Sequence, residues 1–445
     1  MATLKTDNVK ESTIGGEHGI TEAEINALKE KTEEIHDWLM KSKQENSLPF
    51  LNLPYQTDSV EETLKAAEHI RKNFDNFVIL GIGGSALGPI AIHNALNDAF
   101  YNLKSAEKRR GPRLFVADNS DPRYFTEILN EIDFKKTCFN VITKSGSTSE
   151  TMSQFMVVYN LLKQEIGENW KHHLILTTDP ENGTLRKIAK TDGLKTLPID
   201  PGVGGRFTIF TPVGLLPAAV IGVDIKRFLK GAATAVEKSS TTNLNTNIAY
   251  SLAIISYLAD VKKGKKILVM MPYANALYSI ADWFRQMWAE SLGKRKDLQG
   301  NDVYTGQTPV KALGATDQHS QVQLYVEGPN DKITFFIEID DYGTDVTIPK
   351  VYENESSLSY LVGKTFEQLI KTEKEGTEHA LTVNNRPNLT LKINSICEEE
   401  VGELFMTFAI QTAFAGKLYN VNAFDQPGVE WGKDYVYKKF GKEGY

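Results

Sequence analysis

NFVILGIGGSALGP, residues 76 to 89, is the stretch that decides the fold class. The apolar run NFVIL predicts a buried strand, the glycines after it predict a tight turn, and the residues that follow predict a helix. A strand that turns directly into a helix is typical of the units that build a parallel α/β sheet. The pattern recurs at RLFVAD (113–118), CFNVIT (138–143) and HHLILTTD (172–179). These four runs predict one α/β domain with a mostly parallel sheet.

The alternation resumes beyond a segment rich in glycine and proline, PIDPGVGGRFTIFTP (198–212), which predicts a linker or an active-site loop. Helical patterns over roughly 212–260 follow this segment. KKILVMMPYANALYSIADWFRQMWAESLGK (265–294) then predicts strand, turn and helix, and QVQLYVEG, KITFFIEI and NLTLKIN predict further strands. We therefore expect a second sheet in this half of the chain.

The N-terminal 72 residues have a different pattern. TEAE at 21 and SVEE at 59 are capping boxes, which predict the starts of two polar helices. We expect a helical lead-in over 1–72 that packs on the outside, a first α/β domain over 73–211, and a second α/β domain with C-terminal helices over 212–445.

Composition excludes several classes of protein. The 50 basic and 57 acidic residues give a net charge of −7 without a long basic block, which argues against nucleic-acid binding. Cys138 and Cys397 are too few for a disulfide framework and suit a reducing compartment. The polar N-terminus and the lack of any run near the roughly 18 apolar residues of a membrane span predict a soluble, cytoplasmic protein that does not bind a membrane.

Two loops at predicted strand ends are candidate ligand sites. GIGGSALGP (81–89) matches the dinucleotide fingerprint imperfectly at Gly81, Gly83 and Ala86, so an anion site and a merely structural tight turn both stay open. VITKSGSTSET (141–151) carries six hydroxyl side chains before a predicted helix near Ser149. Such hydroxyls, with the N–H groups of a helix start, suit a phosphate monoester, although an ordinary loop with several caps would look the same.

Five segments in order closely resemble the signatures of the glucose-6-phosphate isomerase family, at this length its bacterial branch. They are GIGGSALGP, TKSGSTSET, GGRFT (204–208), WAESLGK (288–294) and FDQPGVEWGK (424–433). The resemblance implies two sugar-isomerase (SIS) α/β/α sandwich domains, a homodimer with active sites at the domain and subunit junction, and no cofactor. It also implies reversible isomerisation of glucose 6-phosphate and fructose 6-phosphate through a cis-enediol.

Moving a carbonyl between two carbons needs a base, or a metal pair that shifts a hydride. His172 and His173 are adjacent in a predicted strand and lack spaced carboxylate partners, so the sequence does not favour a metal site. Glu290 lies four residues after Gln286 on a predicted helix, at the edge of its apolar stripe, which makes it the candidate base. An exposed helix carboxylate is the alternative.

The resemblance also implies the other site residues. Arg206 would stabilise the enediolate, His319 would open the ring, and Lys433 would contact the ring or ring-opened oxygen. The implied phosphate-binding residues are Thr143, Lys144, Ser145, Thr148 and Gln426, with Glu150 and Thr151 completing the helix start. The implied sugar-contacting and other substrate-binding residues are Gly84, Ser85, Gly205 and Gln286.

Two alternative functions stay open from the sequence. A regulatory sugar-phosphate-binding module needs no base, and the joint presence of Glu290, His319 and Lys433 speaks against it. A related isomerase that also accepts mannose 6-phosphate or an amino sugar phosphate would keep the base. The segment YTGQTPVKALG, ahead of His319, is a candidate insertion.

Overall fold

The computed structural model describes residues 2–445. The strands are β1 (Thr3–Lys5), β2 (Asn76–Leu80), β3 (Arg113–Ala117), β4 (Thr137–Ile142), β5 (Leu174–Thr178), β6 (Lys195–Pro198), β7 (Ile267–Pro272), β8 (Lys294–Lys296), β9 (Asp302–Thr305), β10 (Thr308–Lys311), β11 (Lys332–Asp341) and β12 (Asn388–Ser395). The helices are α1 (Glu11–Ile14), α2 (Glu22–Asn26), α3 (Lys29–Gln44), α4 (Asp58–Asn73), α5 (Leu87–Leu96), α6 (Pro122–Glu131), α7 (Ser149–Ile166), α8 (Thr184–Asp192), α9 (Pro212–Val220), α10 (Ile225–Lys238), α11 (Ile248–Val261), α12 (Tyr278–Leu292), α13 (Val322–Glu327), α14 (Phe366–Val383), α15 (Glu398–Leu418) and α16 (Glu430–Lys439).

The first sheet has the strand order β3-β2-β4-β5-β6 and is parallel throughout. Both of its faces are covered, which explains why its strands read as continuous apolar runs. In β2, Phe77 and Ile79 face the central core, while Val78 and Leu80 face the outer cluster formed with α7 and α8. The predicted α/β class and the four predicted strands are confirmed.

The second sheet has the order β1-β12-β11-β7-β10. Its strands are parallel except β1, which pairs antiparallel with β12. Residues 3–5 therefore complete the sheet of the chain's second half, so the segment 1–72 is not a purely helical lead-in. The candidate insertion before His319 holds β10, an edge strand of this sheet.

The two sheets lie on either side of a shared layer of helices. One continuous core joins the inner faces of both sheets with side chains of α5, α9, α10, α11, α12 and α15. Helices α13 and α14 cover the outer face of the second sheet. This layer brings α12, from the second half of the chain, to the carboxyl edge of the first sheet, because α12 packs along α5.

Two local predictions were wrong, and a third was confirmed. QVQLYVEG is helix α13 rather than a strand, because Val322, Tyr325 and Val326 share one helical face against the outer core while Leu324 faces outward. SVEE does not open a helix, since α4 already begins at Asp58. The box at Thr21 is formed, with Glu24 as its partner, although it opens only the five-residue α2.

Candidate active site

The candidate site is a cleft of about 680 Å³ at the carboxyl edge of the first sheet. The turns after β2, β4 and β5 form one wall, and the loop before α9, helix α12 and the C-terminal segment form the rest. Its lining includes twelve of the residues predicted from the sequence: Gly84, Ser85, Thr143, Lys144, Ser145, Thr148, Gly205, Arg206, Gln286, Glu290, Gln426 and Lys433. Parallel strands end at one edge, so the turns that follow them meet there.

The loop after β4 is an ordered turn at the start of α7. The hydroxyl of Thr143 lies 3.0 Å from that of Thr148 and accepts the backbone N–H of Gly146 at 3.2 Å. Gly146 has φ 65°, a left-handed conformation that side-chain-bearing residues rarely adopt. Thr148 is the N-cap residue of the 18-residue α7, whose first turn leaves N–H groups for an anion.

Lys144, in the loop after β4, and Gly84, in the turn after β2, both lie against the segment 201–205. The Lys144 ammonium donates to the carbonyls of Pro201 and Val203, at 2.5 and 2.9 Å. Burial lowers the pKa of Lys144, and Asp179 and Asp200 partly oppose the effect. A Cβ on Gly84 would collide with the carbonyl group of Gly205, so glycine permits the close approach of these two loops.

Arg206 is the most buried charge of the site, with 1% of its side chain exposed. Its Nε donates to the Ser291 hydroxyl at 2.6 Å, and Nη1 donates to Glu290 at 3.3 Å and to Gln426 at 3.0 Å. Nη2 donates to the carbonyls of Ala423 and Asp425. Burial lowers the pKa of Arg206 while Glu290 raises it, and a guanidinium stays positive in either case. The site therefore contains a fixed, oriented positive charge.

Glu290 points into the cleft from the last turn of α12. Gln286, one turn earlier, donates its Nε2 to Glu290 Oε1 at 2.9 Å, as the four-residue spacing predicted. The other oxygen faces Arg206, and 31% of the side chain is exposed. Trp283 and Met287 on the same helix are buried. The carboxylate is thus held in one orientation and open to a ligand from one side.

The C-terminal segment closes the cleft through Gln426 and Lys433. Gln426 Oε1 is the acceptor from Arg206 described above. Lys433 lies on α16, donates to Glu430 Oε1 at 2.7 Å, and has 48% of its side chain exposed. Its ammonium can therefore reach a ligand while the helix that carries it stays at the surface.

Comparison with known proteins gives the family. The phosphoglucose isomerase family model matches residues 55–442. The glucose-6-phosphate isomerase of Carboxydothermus hydrogenoformans is 47% identical over 425 residues, which are 95% of this chain and 91% of that protein. The chain belongs to the phosphoglucose isomerase family.

Two solved structures have a similar fold. A Thermus thermophilus protein described as hypothetical superimposes with a TM-score of 0.86 at 37% identity, over 99% of this chain and 100% of that one. A Chlamydia trachomatis glucose-6-phosphate isomerase has a TM-score of 0.76 at 23% identity, over 86% of this chain and 73% of that one, and shows the shared fold.

Three predicted residues of this phosphoglucose isomerase chain lie outside the cleft lining. Glu150 and Thr151 follow the loop, within the first turn of α7, and the Thr151 side chain is buried beneath it. His319 is exposed at the end of a short turn, Thr316–His319, which a helix follows instead of the expected strand. Its neighbour Gln318 donates to Tyr273 and to Thr377.

Sequence reasoning missed part of the lining. Asp179, Asn182 and Gly183 follow the end of β5 and line the cleft, and Asp179 accepts the N–H of Asn182 at 2.8 Å. The rule that ligands bind beyond the carboxyl ends of strands, applied to HHLILTTD, would have found them. Ser291 and Lys294 stand beside Glu290 in the quoted WAESLGK, but only the fold shows what they contact.

The adjacent residues His172 and His173 do not line the cleft. They lie in the turn Gly167–His173 before β5, so the prediction that they are in a strand was wrong, and His173 Nδ1 lies 2.9 Å from the Thr137 carbonyl. Between residues 2 and 445, no group of three or more His, Cys, Asp or Glu side chains could hold a metal ion. In the same part of the chain, no helix is both long and apolar enough to cross a membrane.

Proposed function

We propose that this chain interconverts glucose 6-phosphate and fructose 6-phosphate through a cis-enediol, in glycolysis and gluconeogenesis in the cytoplasm. Membership of the phosphoglucose isomerase family and the names of its relatives support the substrate. The observation that carries the chemistry is the position of Glu290. This carboxylate lies in the same cleft as the hydroxyl-rich loop and 3.3 Å from Arg206. A base, a phosphate-binding loop and a fixed positive charge are the parts that the reaction needs.

The proposed reaction moves one proton between neighbouring carbons. The phosphate binds at Ser145, Thr148 and the N-terminus of α7, which directs C1 and C2 of the open-chain sugar toward Glu290. Glu290 takes the proton from C2, the C–H electron pair forms the enediolate double bond, and the carbonyl electrons move onto oxygen. Arg206 stabilises that negative charge. The proton of the C2 hydroxyl passes to the C1 oxygen, and Glu290 returns its own proton to C1. The C2 oxygen is then the carbonyl oxygen of the ketose.

We propose that a second copy of the chain supplies His319. In one chain this histidine is exposed and outside the cleft lining, so it needs another cleft to act on. Large apolar side chains are also exposed on and beside α16: Trp431 at 75%, Tyr435 at 70% and Phe440 at 84%. Exposed apolar surface of this kind is typical of an interface. A solution mass of a single 49.7 kDa chain, measured by sedimentation, would contradict the homodimer.

Turnover of fructose 6-phosphate is expected without added metal and in the presence of EDTA, because proton transfer by a carboxylate needs no Lewis acid. The measurement is an assay coupled to oxidation of the glucose 6-phosphate formed, run before and after chelation with coupling enzymes shown to tolerate EDTA. Activity that disappears in EDTA and returns with a divalent ion would contradict the enediol mechanism. No turnover in any condition would contradict the substrate assignment.

Removing two loop hydroxyls, as in Ser145→Ala with Thr148→Ala, is expected to weaken phosphate binding. Each charge-assisted hydrogen bond lost is worth on the order of 1.5–3 kcal/mol. The inhibition constant of a phosphorylated competitive inhibitor measures the change. Ser153→Ala is the control, since this exposed serine on α7 bonds only to its own helix at the Ser149 carbonyl. An unchanged constant in a folded double variant would leave the loop with a structural role alone.

A further inference from the structure

Lys294 is a buried cation behind the candidate base. It stands two residues beyond α12 and is 6% exposed. Its ammonium donates to the main-chain carbonyl of Glu290 at 2.9 Å. It also pairs with the Asp425 carboxylate at 2.9 Å and donates to the Asp425 carbonyl. One side chain therefore ties the last turn of the base-bearing helix to the C-terminal segment.

Arg206 holds the same segment from the other side. Its Nη2 donates to the carbonyls of Ala423 and Asp425, so the Asp425 carbonyl accepts from both cations. The residue after Asp425 is Gln426, which lines the cleft, and Lys433 follows on α16. Lys433 is half exposed, and its ion pair is with Glu430 on its own helix. The place of Lys433 over the cleft therefore depends on how residues 423–426 are anchored.

The charges of this cluster also suit proton transfer. Arg206 and Lys294 carry two positive charges, and Glu290 and Asp425 carry two negative ones. When Glu290 accepts the proton from carbon, its charge is neutralised and a negative charge develops on the substrate oxygens. The cluster then has one uncompensated positive charge, and such fixed charges stabilise an enediolate best where water is excluded. Burial lowers the pKa of Lys294, and its contact with Asp425 raises it.

We propose that Lys294 is a positioning residue for the isomerisation, which fixes residues 423–426 against α12 and so sets Gln426 and Lys433 over the cleft. This inference rests on the proposed function. Lys294 is not in the cleft lining, and its ammonium contacts Glu290 and Asp425 rather than the phosphate-binding loop.

The test is Lys294→Met, which keeps the length and apolar stem of the side chain and removes its charge and donors. We expect kcat to fall about 10- to 100-fold, the effect of losing charge-assisted hydrogen bonds at the site. A five-carbon phosphorylated acid that mimics the enediolate should lose affinity by a similar factor in calorimetry. Inorganic phosphate is expected to bind mainly at the loop, with Gln426 as one further contact, so its affinity should fall less than that of the five-carbon acid. Because calorimetry needs no turnover, wild-type activity tests the proposed function separately.

Lys265→Met is the matched control. Lys265 is also buried, but its ammonium donates to Asn330, and neither residue lines the cleft. Its kcat should equal that of wild type. A Lys294→Met kcat within twofold of wild type, or a loss of phosphate affinity as large as that of the five-carbon acid, would overturn the inference. If Lys294→Met does not fold, Asp425→Asn is the second variant, since it removes the ion pair with Lys294 at a half-exposed carboxylate. A severalfold fall in kcat is then expected. An unchanged kcat would overturn the inference.

Discussion

The Glu290→Gln variant is expected to bind sugar phosphate but to lose exchange of the C2 proton with solvent. The amide keeps the shape of the side chain, its oxygen can accept from Arg206, and its NH2 group can donate to the oxygen of Gln286. It has no basic lone pair to accept a proton from carbon. Positioned general bases contribute about 10²- to 10⁴-fold to rate. The exposed 31% of the Glu290 side chain is the part that a substrate can contact.

Washout of deuterium from substrate labelled at C2 measures this step directly. Binding of the five-carbon phosphorylated acid, measured beside it, reports whether the cleft is intact. Glu367→Gln is the matched control, because Glu367 is a similarly exposed helix carboxylate, 26% against 31%, and is also ion-paired, with Lys371. Near-normal exchange in Glu290→Gln would mean that another residue is the base and that Glu290 is a positioning partner of Arg206.

The parts of the fold that the sequence predicted well are those buried on both sides. β2, β4 and β5 lie inside a covered parallel sheet, so every position is buried, most are apolar, and the runs stand out. The prediction of helix α12 was equally clear, since buried apolar residues repeat there at helical spacing: Ile280, Phe284, Met287 and Trp288. In such segments local pattern and tertiary burial agree.

The strands that went unnoticed are short edge strands. β1 has three residues, and β6 and β10 have four each, with partly exposed side chains. Their pairing depends on a neighbour far along the chain, as with Thr3 opposite Lys392. QVQLYVEG, in contrast, was predicted as a strand but forms a helix. The alternation of Val322, Leu324 and Val326 favoured a strand, whereas packing against the outer core favours the helix. The boundaries expected at residues 72 and 211 stay a prediction.

The sequence likewise predicted some residues of the candidate site and missed others. Glycines, hydroxyls and one carboxylate at strand and helix ends were found because loop chemistry is local. The contacts of Arg206 with residues 423–426 join positions more than 200 apart in sequence, and no local pattern predicts them. Lys294 was for this reason overlooked although it lies four residues from Glu290. His319 was placed by resemblance alone, and its role stays a prediction.

Arg206 is expected to be as important as the base. Its side chain both stabilises the negative charge of the enediolate and holds the neighbouring segments of the site in place. Its guanidinium satisfies five acceptors, on Ser291, Glu290, Gln426, Ala423 and Asp425. A lysine at this position has three donors and no planar fork, so it keeps the charge but leaves acceptors unpaired. Methionine removes the charge as well. The two variants therefore separate charge from geometry.

Arg206→Lys is expected to lower kcat about 10²- to 10³-fold, the usual cost of removing one preorganised stabiliser of developing negative charge. Arg206→Met should lose more, because the fixed positive charge beside the enediolate and the Glu290 carboxylate is then removed. The five-carbon acid should lose affinity in the same order, whereas the affinity for inorganic phosphate, which binds mainly at the loop, should fall less. Arg227→Lys is the control, since Arg227 pairs with Glu398 and Glu399 between α10 and α15, outside the cleft. Urea unfolding separates a loss of function from a loss of structure.

Equal kcat in the lysine and methionine variants would show that donor geometry rather than charge determines the rate. A folded Arg206→Met protein with wild-type kcat would contradict any role of Arg206 at the enediolate.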